Sequence, residues 1–485
     1  MTTSSPAPMA RRRGWRALLP LVCGAVFGIV AAWLQPRGPV TTTDALALLA
    51  GGLATGLIAG ATTRSRWAIV LTPVGFLLLF EMLRLSSTLP TVGPLDAGSV
   101  FGVLAFVLGR IVAWPLVCLA VIVGAMWGIG RPGLRVGLIV ATVVTALIAG
   151  SLLMAPSSPP LRDEEGHAIV GEVSELIPVE LNGSEQWIEV RGARDDLPLL
   201  LYLSGGPGQS DLAYSRVLFE PLTRDFLVVG WDQRGTGKSY PALEAGSLTL
   251  DDAVADTVEL ARWLTQRYGK EKVYLLGESW GSLLGVLAVR EAPELFHAFV
   301  GSGQMVAPRE TDEGIYRDLI STAMGQGDGK LIAKLVAMDP PPYASVFDYA
   351  TIMSLYPLLE GPYTPPAEYL RRGREANLGP YGVFGREYSL VEKVNVPRGL
   401  LDVFSELYPQ LQQVDLRRDA AALEAPVVVL AGEHELAART VPAREWFDAL
   451  QAPEKRWVDL ADAGHSVAFE QADELRQILL DLASG

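Results

Sequence analysis

Ser279 stands in the pentapeptide Gly277-Glu278-Ser279-Trp280-Gly281. A serine hydroxyl is a poor nucleophile until a base takes its proton, so chemistry there calls for a histidine. The chain has four, at 167, 297, 434 and 465. His167 lies in a charged linker, His297 at a helix end before a strand, and His434 just after a strand. His465, in Gly464-His465-Ser466, follows the last strand-like run and precedes the last helical pattern, where the base of a Ser…acid…His order belongs. The acid should follow the preceding strand, in Gly432-Glu433-His434-Glu435. Glu435, four residues past the expected strand end, is the candidate to orient the imidazole and stabilise its charged form, with Glu433 as the alternative. Such a set performs acyl transfer, and the developing oxyanion needs two backbone N–H donors. One is that of Trp280. The other is assigned to Gly206 in the loop Ser204-Gly205-Gly206-Pro207-Gly208, with Gly205 as the alternative.

Those groups work only if secondary structure brings them together. Strand-like runs fall at 187–190, 199–203, 226–229, 272–276, 298–301, 426–431 and 456–460. Helical patterns fall at 250–268, 281–292, 443–450 and 472–483. The unbroken apolar run Val427-Val428-Val429-Leu430 suits a parallel strand buried on both faces. The alternation predicts an α/β layer structure with a mostly parallel sheet. Ser279 then falls between the strand 272–276 and the helix 281–292, the context of a nucleophile elbow. The turn there is so tight that side chains at 277 and 281 would clash. Between 309 and 420 the strand signal fades into Tyr, Pro, charge and helical pieces such as 314–324 and 402–411. That stretch reads as a helical insertion. Ligands of open α/β sheets bind beyond the strand carboxyl ends, where the insertion would form a lid.

The first 155 residues are different. Five apolar runs of about membrane-crossing length fall at 15–34, 44–61, 67–85, within 100–127, and at 136–155. The first resembles a signal peptide, with Arg11, Arg12, Arg13 and Arg16 before an apolar stretch, but no small-residue cleavage site follows it. Those arginines, Arg64 with Arg66, and Arg131 with Arg135 share one side of a five-span arrangement, which puts the N-terminus in the cytoplasm and residues 156–485 outside. Glu81 and Arg110, near the outer ends of their spans, read as an ion pair or as snorkelling side chains. Cys23 and Cys118 read as packed apolar residues. Residues 156–165 form a Pro-rich, then charged, linker.

Composition removes several function classes. The chain has 485 residues, 40 Lys+Arg, 54 Asp+Glu and a net charge of −14. Residues 1–155 hold eleven Arg, no Lys and three acids, a net of +8, so residues 156–485 carry −22. So acidic a surface argues against nucleic-acid binding. Two Cys exclude a disulfide-built scaffold. No Cys- or His-rich cluster suits a structural zinc. Gly235-Thr236-Gly237-Lys238-Ser239 imitates a phosphate-binding loop, but Asp232 stands where that motif needs its first Gly. His434-Glu435 begins like a zinc-protease helix, but Ala438 replaces the second His.

Three motifs in order, Ser204–Gly208, Asp232-Gln233-Arg234-Gly235-Thr236-Gly237-Lys238-Ser239 and Gly277–Gly281, resemble the signature of the prolyl aminopeptidase (proline iminopeptidase) branch of the α/β-hydrolases. The resemblance covers roughly 170–308 and 420–485. It implies an α/β-hydrolase fold with a helical lid. It also implies cleavage of N-terminal residues from short peptides or amino-acid amides by a serine mechanism without a cofactor. Three positions depart from the family pattern. Ser204 stands where members usually have His, Glu278 where Gly is frequent, and Glu435 where Asp is usual. The expected layout is a transmembrane region of about five helices (1–155), a linker (156–168), a hydrolase core (169–308 and 421–485) and a cap (309–420). An esterase acting on a lipid or cell-envelope ester, and a non-enzymatic membrane binding protein, are the competing readings.

Overall fold

The apolar runs after residue 170 pair into one sheet of eight strands: β1 (Val173–Leu181), β2 (Ser184–Gly192), β3 (Leu199–Leu203), β4 (Leu227–Asp232), β5 (Val273–Glu278), β6 (Phe296–Ser302), β7 (Val427–Gly432) and β8 (Lys455–Leu460). The computed structural model describes residues 9–163, 165–361 and 363–484. The side chains of Arg11, Arg12, Arg13 and Arg16, and Glu164 of the linker, lie outside the described residues. The strand order is β1-β2-β4-β3-β5-β6-β7-β8. β1–β2 and β2–β4 are antiparallel, and the pairs from β4–β3 through to β8 are parallel. β3, β5 and β7 are buried at every position, as parallel strands covered on both faces must be. Each expected strand is present. β1 is additional: its Ser, Glu and Pro residues break the apolar pattern, and it pairs along one side only.

The expected helix 250–268 has the same bounds in the structure, Leu250–Tyr268. Thr249 and Asp252 form a capping box at its start, and Gly269 ends it in the left-handed conformation. The helix expected at 443–450 begins six residues earlier, as Ala437–Ala449, and carries Pro442 inside it. Between β6 and β7 lie the cap helices Pro308–Gln326, Gly329–Ala337, Val346–Met353, Ala367–Ala376 and Leu390–Leu411. Ile315, Leu319, Tyr356, Phe404 and Tyr408 form a separate apolar core within the cap. Under the sheet, Phe219 stacks on Phe469 at 4.6 Å and Tyr202 packs edge-on against Phe219. Full burial of each such ring is worth about 1.5–3 kcal/mol.

The chain divides into two compact units. One comprises Met1–Ala155 and Ser389–Val394, the other Pro156–Tyr388 and Asn395–Gly485. The first is helical. Its described residues contain two helices long and apolar enough to cross a membrane, Thr42–Thr63 and Pro132–Leu152. The pair Val100–Leu108 and Ala113–Ile129, bent by 43°, would make a third. The count of about five spans is therefore corrected to two, or three with the bent pair. Hydropathy alone did not see what shortens the others. Ala68–Arg84 has Pro73 inside and ends on Glu81 and Arg84, and the described apolar part of the first helix is the shorter Leu18–Leu34.

Arg110 sits at the break in the bent pair, and a polar network surrounds it. Its Nη2 and Nε lie 2.8 and 3.1 Å from Glu81 Oε2, and Nη2 also donates to the carbonyls of Val92 and Gly93 at 2.9 Å. The other oxygen of Glu81 accepts from Arg84 Nη1 at 3.1 Å and Trp114 Nε1 at 2.8 Å. Glu81 and Arg110 are thus an ion pair. Glycines allow close helix contacts in this unit. A Cβ on Gly56 would lie 2.0 Å from the Val121 carbonyl, and one on Gly124 2.1 Å from that of Leu53.

Candidate active site

Ser279 lies between the end of β5 and the helix Trp280–Glu291, with φ 52° and ψ −116°. A non-glycine residue in that region is strained by about 1–3 kcal/mol. The neighbours enforce it. A Cβ on Gly277 would lie 2.2 Å from the Gly281 carbonyl, and one on Gly281 2.1 Å from that of Leu203. Ser279 N–H donates to the Ser302 carbonyl at 2.9 Å, tying the turn to β6. The turn leaves Ser279 on the wall of a cavity of about 240 Å³ that His465, Gly206 and Glu278 also line.

His465 reaches the cavity from the loop after β8. Its Nδ1 is hydrogen-bonded to Glu435 Oε2. Glu435 is 6% exposed, and its other oxygen accepts from Leu436 N–H at 2.8 Å and Arg439 Nη1 at 3.0 Å. Burial works to raise its pKa, but His465, Arg439 and the Leu436 amide outweigh it and hold the carboxyl at about 2. Glu435 is therefore charged across the neutral range, and the bond to Nδ1 turns the opposite ring nitrogen, Nε2, into the one left for a substrate or nucleophile. Among the described residues no hydrogen bond joins Ser279 Oγ to His465, and such bonds are often long before substrate arrives. The side chain of Glu433 makes no hydrogen bond or ion pair among the described residues.

Trp280 begins the helix, and its indole, fully buried, donates to Gln233 Oε1 at 3.0 Å. In the glycine loop, Gly206 has φ +116°, and a Cβ there would lie 2.7 Å from Gly208 N. Gly205, the alternative donor, lines the same cavity, and its amide favours the charge of the nearby Asp211 carboxylate. Asp211 is itself held by Tyr202 Oη at 3.0 Å and Gln209 Nε2 at 2.8 Å. Arg234, in the second glycine-containing motif, makes a bidentate pair with buried Asp256 at 2.8 Å on both arms.

Several cavity residues were not among the sequence candidates. Arg439 was missed because Pro442 concealed the first turns of its helix. Asp312, in the cap helix Pro308–Gln326, lines the cavity with one oxygen held by Tyr408 Oη at 2.8 Å and Gln412 Nε2 at 3.3 Å. Burial lifts its pKa to about 7. Nothing local in the sequence separates it from neighbouring cap acids. Of those, Glu313, Glu368 and Glu375 pair with arginines at the surface, and Glu387 is buried against Arg216. Tyr349, Tyr356, Phe404 and Met353 give the cavity an aromatic and aliphatic cap wall.

Residues 198–472 match the model of the alpha/beta hydrolase fold family. The probable aminopeptidase YbaC of Bacillus subtilis (strain 168) is 26% identical over 313 residues, covering 64% of this chain and 95% of that protein. The proline iminopeptidase of Neisseria gonorrhoeae is 35% identical over 124 residues, 25% of this chain and 38% of that enzyme. Among solved structures, a proline iminopeptidase-related protein from Thermus thermophilus is 19% identical with a TM-score of 0.43, covering 64% of this chain and 97% of that one.

Proposed function

The chain belongs to the α/β-hydrolase family, and on that premise we propose that it is a serine hydrolase removing N-terminal residues, proline among them, from short peptides or amino-acid amides. Ser279 Oγ attacks the scissile carbonyl while His465 Nε2 takes its proton. Glu435 holds the imidazole by Nδ1 and stabilises its positive charge. The amides of Gly206 and Trp280 receive the oxyanion. His465 returns the proton to the leaving amine, an acyl-enzyme forms on Ser279, and water activated by His465 releases it. The observation that carries this reading is that His465, held by the buried carboxylate of Glu435, lines the same cavity as the strained Ser279. The similarity to the probable aminopeptidase YbaC, over 95% of that protein, supports the substrate class. The aromatic and aliphatic cap wall also suits an acyl chain, so an esterase acting on a lipid or envelope ester is the second reading.

The membrane role belongs to the same proposal. Arg131 and Arg135 flank the start of Pro132–Leu152. The positive-inside rule then puts that end in the cytoplasm, so the chain following Leu152 emerges outside. The test of function compares the full chain with Ser279→Ala on prolyl and other aminoacyl 4-nitroanilides, free and N-acetylated, and on short acyl esters. Serine-dependent turnover of the free-amine anilides alone is expected. Ester cleavage alone, or indifference to acetylation, would shift the weight to the esterase.

A further inference from the structure

The residue before the nucleophile is an acid with nothing to neutralise it. Glu278 ends β5, is 4% exposed, and lines the cavity beside Ser279. Its Oε2 is buried and has no hydrogen-bond partner. A buried polar atom in that condition costs about 1–3 kcal/mol, more if charged, and persists where a ligand completes it. The charges that weigh most on it are acidic, while Arg439 and His465 line the same cavity. Asp211 approaches from the loop after β3, Glu435 from the loop after β7, and Glu470 from the helix Val467–Glu470. Tyr202 of β3 and Tyr369 of the cap also feel its charge. Glu435 is committed to His465 and Arg439, Asp211 to Tyr202 and Gln209, and Glu470 to Tyr363 Oη and Gly464 N–H. Of these four, Glu278 is the one with a buried oxygen that has no partner, and it belongs to a residue lining the cavity.

The position suits one ligand group. The α-nitrogen of an N-terminal residue is two bonds from the carbonyl carbon that Ser279 would attack. Whatever binds that nitrogen must therefore stand immediately beside the nucleophile. Asp312 and Glu360 also line the cavity, but from the cap, whereas Glu278 adjoins Ser279 in the chain. We propose that Glu278 receives the α-ammonium group of the substrate and so restricts the site to acyl groups with a free N-terminal amine. The assignment rests on the aminopeptidase reading and deepens it. In the free enzyme burial above all, then Asp211, Glu470 and Glu435, oppose the charge on Glu278, while the Ser466 hydroxyl favours it, and the net effect keeps it protonated. Docking of the ammonium replaces that proton, which leaves to solvent, by a second positive charge. The KM for free-amine substrates should therefore rise as pH falls.

The test uses the full chain in detergent, with alanine 4-nitrophenyl ester and 4-nitrophenyl propionate, which differ only in the α-amine. Rates are taken per site labelled by a fluorophosphonate, so misfolded protein is not counted. In the unaltered protein the ratio of kcat/KM, alanyl over propionyl, should be well above one. Glu278→Gln keeps shape and neutrality but cannot become an anion. It should lower the ratio by about 10- to 100-fold, the range for one charge-assisted hydrogen bond, mainly through KM, and flatten the pH dependence of KM. Glu278→Gly, which removes the side chain, should lower the ratio equally. Both variants keeping the ratio would overturn the assignment and leave the aminopeptidase reading standing. A ratio near one in the unaltered protein would overturn both.

Discussion

Removing the charge of Glu435 while keeping its shape separates the two jobs of that residue. In Glu435→Gln the amide can still reach Nδ1, but it no longer balances an imidazolium and can fix the ring in the wrong tautomer. Loss of the corresponding charge in a catalytic triad costs on the order of 10⁴ in rate. The stability cost follows from the environment. The carboxyl is held at about 2 against an ordinary value of 4.5. At about 1.4 kcal/mol per unit, its interactions with His465, Arg439 and Leu436, less the cost of burial, favour the charged form by about 3 kcal/mol. The sign is that of a depressed acid. The contribution is complete above about pH 4.5 and disappears as pH falls toward 2. The variant should therefore unfold about 3 kcal/mol more easily at pH 7, and the gap should narrow progressively below pH 4.5. The rate of Ser279 labelling by a fluorophosphonate reads nucleophile activation without knowledge of the substrate, and should fall at least about 10³-fold. Glu435→Asp, charged but one methylene shorter, should fall between. Labelling within tenfold of the unaltered protein, or a stability gap independent of pH, would refute the reasoning and reopen Glu433.

Other perturbations follow from the same geometry. Ser279→Gly should abolish labelling yet raise stability by about 1 kcal/mol by releasing the strained backbone, whereas Ser279→Ala abolishes labelling without that gain; comparison of their unfolding midpoints reads the strain directly. Gly281→Val should cost at least about 3 kcal/mol, because its Cβ meets the Leu203 carbonyl, which cannot move aside, and thermal unfolding checks it. In the helical unit, Arg110→Ala should sharply reduce accumulation of folded protein by stripping Glu81 Oε2 and the Val92 and Gly93 carbonyls of their donor, although Arg84 still pairs with Glu81 Oε1. Adding Glu81→Ala should restore only part of it, because the carbonyls of Val92 and Gly93 remain unsatisfied; detergent-extracted yield measures both.

What could be read in the chain divides by range. The elbow was legible because its constraint is local: two glycines, a strand before and a helix after. His465 was legible by elimination among four histidines. Strands buried on both faces, such as β7, announced themselves by unbroken apolar runs, while β1, an edge strand with Ser, Glu and Pro, did not. The features that escaped depend on distant partners. Arg439 holds Glu435 from a helix whose start Pro442 disguised. Asp312 differs from the surface cap acids only by which helix face meets Tyr408. The charge environment of Glu278 depends on Ser466 and Asp211, far away in the chain. The apolar run 100–127 reads as one long span because hydropathy averages over the break at Gly109 and Arg110, where a charged side chain turns inward to Glu81.

The central claim is that Ser279 carries the acyl group, and trapping that acyl group tests it most directly. The full chain is mixed with alanine 4-nitrophenyl ester, quenched in acid within milliseconds and digested, and the peptides are weighed. The account expects an alanyl adduct on the peptide containing Ser279, absent in Ser279→Ala, with turnover lost in that variant. Turnover that survives Ser279→Ala, or an adduct that maps to another residue, would contradict it.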